Sequence, residues 1–334
     1  MSETAFLESY IIPLRRFLDN PDLTEICING PGEVFTEGKQ GWQKYNIPEL
    51  NLDWLFQLAN AIAAYTKQDI QESHPIVSCS LPTGERVQIV IPPATEKDTV
   101  SFTIRKPNSK TFSLDELEKN GLFDKTLPAS SEVTTEEHEL CALRDKKAWK
   151  SFFDLAVKTR KNILISGATG SGKTTFSKTL IRSIPDHERV ITIEDTRELT
   201  VYNENKVHLL YSKDGQGLAK VGPKHLLESA LRMRPDRILL QELRDGTAFF
   251  YLRNVNSGHP GSITTVHANS AELAFEQLTL LVKESEGGRD LERSDIRSML
   301  YMFVDVVVQM KRENGRFLIT EVFYDPIRKR ERSN

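Results

Sequence analysis

Gly167-Ala168-Thr169-Gly170-Ser171-Gly172-Lys173-Thr174 fits the spacing G-x-x-x-x-G-K-[ST], with Thr175 continuing its rim. In such a run the glycines let the backbone curl so that successive N–H groups point into one concavity, an anion cradle. The first turn of a following helix adds partial positive charge. Lys173 is placed to reach the β- and γ-phosphates of a nucleotide, and the Thr174 hydroxyl to meet Mg²⁺. Phosphoryl chemistry there also needs a carboxylate near the metal and the attacking water. Ile191-Thr192-Ile193-Glu194-Asp195 ends in two carboxylates and Arg237-Ile238-Leu239-Leu240-Gln241-Glu242 in one. Glu242 is expected to orient or deprotonate water, and Glu194 to act through Mg²⁺, directly or by way of water.

His267 closes the β-branched run Ser262 to Val266, where an imidazole could report the presence of a γ-phosphate. Arg232 and Arg234 flank the approach to the second acidic strand, and Arg86 and Arg105 lie far upstream. Arginine suits the charge on a transferring phosphoryl group. Read by themselves, these four are better suited to be surface ion-pair partners.

These residues need a scaffold that gathers strand ends. From residue 146 onward short apolar runs alternate with helical patterns: 162–166, 190–194, 237–241 and 262–266 as strands, with helices at 148–159, 172–183, 223–233, 247–255, 271–283 and 293–301. This alternation predicts an α/β fold with a mostly parallel, doubly wound sheet, whose ligands bind at the carboxyl ends of the strands. A terminal hairpin, 304–310 and 316–323, turns at Asn314-Gly315. The first 123 residues read as an α+β unit: a helix over 3–18 bent at Pro13, a hairpin pattern over 23–41, a helix over 51–67, strands over 76–81, 86–91 and 100–104, and a short helix opened by the capping box Ser113/Glu116. The polar, acidic stretch 124–145 reads as a linker and 146–334 as the nucleotide-binding domain.

The remaining composition narrows the class. The 334 residues suit two domains. Cys27, Cys79 and Cys141 form no C-x-x-C pair and read as reduced thiols. The N-terminus does not read as a secretory signal, and the longest apolar runs are shorter than the ~20 residues of a membrane span, so membrane contact is expected to be peripheral. A net charge of -3 with short basic runs argues against direct nucleic-acid binding. A nucleic-acid translocase and a small-molecule kinase remain competing readings of the phosphate loop.

In order along the chain, GATGSGKTT (167–175), ITIEDTREL (191–199), LRMRPDRILLQELRDG (231–246) and GHPGSITTVHANS (258–270) resemble the phosphate loop, acidic box, acidic-strand motif and histidine box of the type II/IV secretion and traffic ATPases. The last two runs look most like the type IV secretion and conjugation branch. GERVQIVIPP (84–93) and FTIRKP (102–107) extend the likeness, more loosely, into the first unit. Gln241 and Asp245 stand where many members carry glycine, and the four-cysteine insert of the type II branch is missing. The resemblance implies a RecA-like ATPase domain, ATP and Mg²⁺, a homohexameric ring and an N-terminal domain that moves with the nucleotide. It also implies cytoplasmic work at the inner face of a bacterial inner membrane, beside a larger secretion ATPase and a coupling protein. By motif, Arg105 becomes the first arginine expected at phosphate and Arg86 the second, with Arg232 and Arg234 at an interface.

Overall fold

A computed structural model describes residues 3–107, 111–128, 130, 132–212 and 217–331. The first helix is short because Pro13 cannot donate into it: α1 (Glu3–Ile11) gives way to a 3-10 turn at Ile12–Leu14 and then to α2 (Arg15–Leu18). The strands β1 (Leu23–Ile28), β2 (Glu33–Gly38), β3 (Gly41–Asn46), β4 (Ile76–Ser80), β5 (Arg86–Val90) and β6 (Ser101–Arg105) form one antiparallel sheet in the order β3-β2-β1-β6-β5-β4. β3 extends the expected hairpin to three strands. α3 (Leu52–Tyr65), capped by Asn51 accepting from the Trp54 N–H, packs with α1 against the sheet, and Leu7, Leu14, Leu55, Leu58, Ile26 and Phe102 fill the core between them.

After α4 (Leu114–Lys119) the stretch read as a linker holds a helix, α5 (Thr135–Asp145). Its N-terminus is fixed by a second capping box, in which Thr134 and Glu137 satisfy each other's backbone N–H groups. Leu140 plants it in the core beneath Phe152 and Ile163. Residues 129 and 131 of that stretch lie outside the described residues.

The second half follows as α6 (Trp149–Lys158), β7 (Ile163–Gly167), α7 (Lys173–Ile181), β8 (Val190–Glu194), β9 (Lys206–Leu210), α8 (Pro223–Ala230), β10 (Arg237–Leu240), α9 (Thr247–Asn256), β11 (Ile263–Val266), α10 (Ala271–Glu284), α11 (Arg293–Phe303), β12 (Val306–Glu313), β13 (Arg316–Tyr324) and α12 (Pro326–Glu331). Parallel β9-β8-β10 and the set β11-β7-β12-β13 meet through a bridge between Glu242 and Thr265. The joint order is β9-β8-β10-β11-β7-β12-β13, parallel except for β13. With helices burying both faces, this is the RecA-like arrangement that the resemblance implies. β9 and α12 have no counterpart in the sequence reading.

The two halves touch along the β9 edge. Leu210 N–H donates to the Ala94 carbonyl at 2.9 Å and Thr95 Oγ1 to the His208 carbonyl at 3.0 Å. Val90 and Ala94 join the apolar core around β8 and β10. Arg189, fully buried, donates to the Met233 carbonyl at 2.9 Å and to Asn29 Oδ1 at 2.7 Å. A buried guanidinium is tolerable only when its donors are met, and here both halves of the chain meet them.

Candidate active site

The phosphate loop turns where β7 gives way to α7. Gly172, the N-cap of α7, has φ +92°, a conformation that a side chain would strain. Gly167 is required by packing: a Cβ there would run into Ser171 Oγ and the Met310 carbonyl. Ser171 Oγ is buried beside this curl without a hydrogen-bond partner among the described residues. Lys173 opens α7 with its ammonium buried, donating to the carbonyls of Gly167 and Ala168 at 2.7 and 3.0 Å. Burial pulls that ammonium below its ordinary pKa, and the charge of Glu242 opposes the shift.

Three strand ends converge on Lys173. His267, one residue past β11, places Nδ1 3.4 Å from Lys173 Nζ and Nε2 2.7 Å from Glu242 Oε1. The ring therefore stands between the ammonium and the carboxylate. Glu242, just beyond β10, also pairs with Arg244, which reaches Asp195 Oδ2 at 2.7 Å. Lys173, His267, Glu242, Arg244 and Asp195 thus form one chain of contacts along the carboxyl edge of the sheet. The sequence reading did not assign Arg244 a role. Its position two residues after Glu242 was the available signal.

Glu194 is placed differently from its expected role. It is fully buried, and both oxygens are engaged: one accepts from the Glu198 and Leu199 N–H groups at 2.8 and 2.6 Å, the other from Thr192 Oγ1 at 2.8 Å. Behind it, His208 Nδ1 lies 2.7 Å from Thr192 Oγ1, and Arg197 donates to His208 Nε2 at 2.7 Å. Burial, with the charges of Arg197 and Lys206, drives the His208 pKa down to about 3, so the ring is neutral. Arg197 continues to Glu96 of the N-terminal half at 2.9 Å.

The four expected arginines do not reach the phosphate loop of their own chain. Arg86 and Arg105 face each other across β5 and β6 and line, with Glu25, Glu37 and Arg234, a separate cavity of about 560 Å³. Arg105 Nε lies 3.2 Å from buried Glu25, and Arg234 pairs with Glu37. Burial raises the Glu25 pKa to about 7 against the opposing charge of Arg105. Arg232 donates to Ser78 Oγ at 2.8 Å, joining the two halves.

Fold and loop together define a RecA-like P-loop ATPase. The profile of the family described as "Type II/IV secretion system protein" matches residues 10–314, and the chain belongs to that family. It is 58% identical over 329 residues to the type IV secretion system protein VirB11 of Bartonella quintana, covering 95% of this chain and 92% of that protein. Against PtlH of Bordetella pertussis, another type IV secretion system protein, identity is 41% over 96% of this chain and 95% of that one. The crystal structure of the VirB11 ATPase from the Brucella suis type IV secretion system, in complex with sulphate, superposes with a TM-score of 0.91 at 44% identity, covering 97% of this chain and 99% of that one.

Proposed function

We propose that this chain is the motor ATPase of a bacterial type IV secretion machine, using ATP hydrolysis to drive export or pilus assembly. The observation that carries the chemistry is the convergence of Lys173, His267 and Glu242 within contact distance at one sheet edge. Lys173 and the loop amides hold the β- and γ-phosphates and offset charge in the transition state. Glu242 directs water in line, and His267, touching both, registers whether the lysine is occupied by phosphate.

Mg²⁺ would supply charge neutralisation between the phosphates. Thr174, on the cavity rim in the first turn of α7, fits as its hydroxyl donor. For Glu194 the proposal is narrower. With both oxygens engaged it supports the loop that carries Asp195, and a contact with the metal relayed by water is the most its geometry allows.

The reading extends to a homohexamer with residues 1–123 as the moving domain, 124–145 as the linker and 146–334 as the ATPase domain. Its support is the distance of Arg86 and Arg105 from their own phosphate loop. A ring would bring them, and Arg232 and Arg234 at the seam, to a neighbour's nucleotide. No helix among the described residues is long and apolar enough to cross a membrane. The proposed place of work is the cytoplasmic face of the inner membrane, as a peripheral component beside a larger secretion ATPase and a coupling protein. Lys173→Ala is expected to lower phosphate release by at least about 1000-fold, the order of effect of removing a main electrostatic stabiliser, while the ring still assembles. Wild-type turnover in that variant refutes the role given to Lys173.

A further inference from the structure

Beside the phosphate loop the hairpin β12–β13 does something its core packing does not require. β12 runs parallel to β7, with Met310 opposite Gly167, and then continues past the end of β7 into the space alongside the loop. There Arg312 and Phe317 face each other across the hairpin, the guanidinium 5.6 Å from the centre of the ring. The two side chains form one wall of a cavity of about 340 Å³ whose other wall is residues 170–175.

Phe317 touches the cradle directly. A Cβ on Gly172 would lie 2.9 Å from its Cδ1. Yet the residue is 53% exposed, and Leu318 and Ile319 beside it are 40% and 38% exposed. An aromatic ring held against an anion site, with so much of its surface uncovered, is an open stacking platform. A nucleotide that gives its terminal phosphates to Lys173 must carry its ribose and base out through the mouth of this cavity. A purine there would cover apolar surface and meet a π-face already backed by a cation.

We propose that Phe317 is the base-stacking residue of this ATPase and that Arg312 braces the ring and adds positive charge at the mouth, both as positioning residues for the nucleoside half of the substrate. This inference rests on the reading of residues 167–175 as the ATP phosphate site. The hairpin then has two duties, completing the sheet through Val306, Val307 and Val308 and selecting nucleotide over bare polyphosphate through its tip.

The test compares ATP with inorganic tripolyphosphate, which shares the phosphates but has no base. Phe317→Ala is expected to weaken ATP binding about 10- to 100-fold, with tripolyphosphate affinity changed less than 2-fold, and to raise KM for ATP while kcat stays within about 2-fold. Phe317→Tyr should restore ATP affinity, and Phe317→Leu, which keeps contact with Gly172, should restore it only partly. Equal weakening toward both ligands means that Phe317 merely shapes the loop, and unchanged ATP affinity means that it does not touch the base; either result overturns the inference. If wild-type protein binds neither ligand, the phosphate-site reading itself has failed, an outcome the tripolyphosphate arm separates from the other two.

Discussion

The two ends of the same parallel sheet are built on opposite principles. At the amino ends the polar groups are sealed. Arg237, which begins β10, is fully buried, pairs with Glu188 at 2.6 Å and donates to the Val157 carbonyl at 2.8 Å. Asn162, just before β7, accepts from the Gly261 and Ser262 N–H groups and donates to the Phe303 carbonyl, and its own N–H meets Asp305. At the carboxyl ends of those strands stand Glu242 and the phosphate loop, where His267 is about half exposed and contacts pass from charge to charge. A carbonyl or imidazole contact of Lys173 can be exchanged for a phosphate oxygen without stranding a buried charge. The base cannot be rearranged on those terms, because each displaced partner would leave an unmet ion in the core. One strand, β10, thus carries a rigid foot and a working tip, and the foot is what lets the tip be precise while remaining free to respond to ligand.

Breaking the foot should therefore cost stability. Arg237→Met leaves buried Glu188 with the more distant Arg160 as its ion-pair partner among the described residues, and urea unfolding is expected to show a loss of about 3 to 5 kcal/mol. Altering the tip should cost turnover instead. Glu242→Gln keeps the size of the side chain and removes the carboxylate, so kcat is expected to fall about 100-fold or more, roughly 3 kcal/mol, with nucleotide still bound and the unfolding midpoint nearly unchanged. A large loss of stability in Glu242→Gln, or none in Arg237→Met, would erase the contrast.

Between the two ends lies His208, and its effect is smaller and depends on pH. Its folded pKa of about 3 lies below the ordinary value of 6.5, so the unfolded chain binds the proton more tightly. Its contribution to stability is then fully present above about pH 6.5 and is lost as pH falls toward 3. His208→Gln can keep both hydrogen bonds without titrating. Between pH 7 and 4.5 the wild-type protein should lose about 2 kcal/mol more than the variant, read from paired urea titrations. Parallel losses in the two would show that the ring is free to protonate in place.

Much of the candidate site's edge was legible in the sequence, because a parallel sheet turns a linear rule into a spatial one. Residues that follow successive short apolar strand runs end on the same edge, so Lys173, Glu242 and His267 could be named before their contacts were known. What the sequence hid depends on pairing across the chain. The cross-strand row of Glu37, Glu25, Arg105 and Arg86 exists only once β2, β1, β6 and β5 are set in register. Arg105, which by itself reads as a surface ion-pair partner, is found beside a buried carboxylate. Phe317 and Arg312 likewise become neighbours only across a hairpin. The short run Lys206–Leu210 alternates too weakly to announce a strand, since His208 is buried with the apolar residues around it. α5 was hidden by its acidic surface, although Thr134 and Glu137 carried the same capping signal that marked α4.

The central claim is that the loop around Lys173 grips a nucleotide triphosphate. Titration calorimetry of magnesium and ATP into folded wild-type protein, repeated with Lys173→Ala, tests it most directly. The expected result is saturable heat with one nucleotide bound per site in the wild type and its loss in the variant at the same concentrations. No heat in the wild type, or the same isotherm in both proteins, would contradict it.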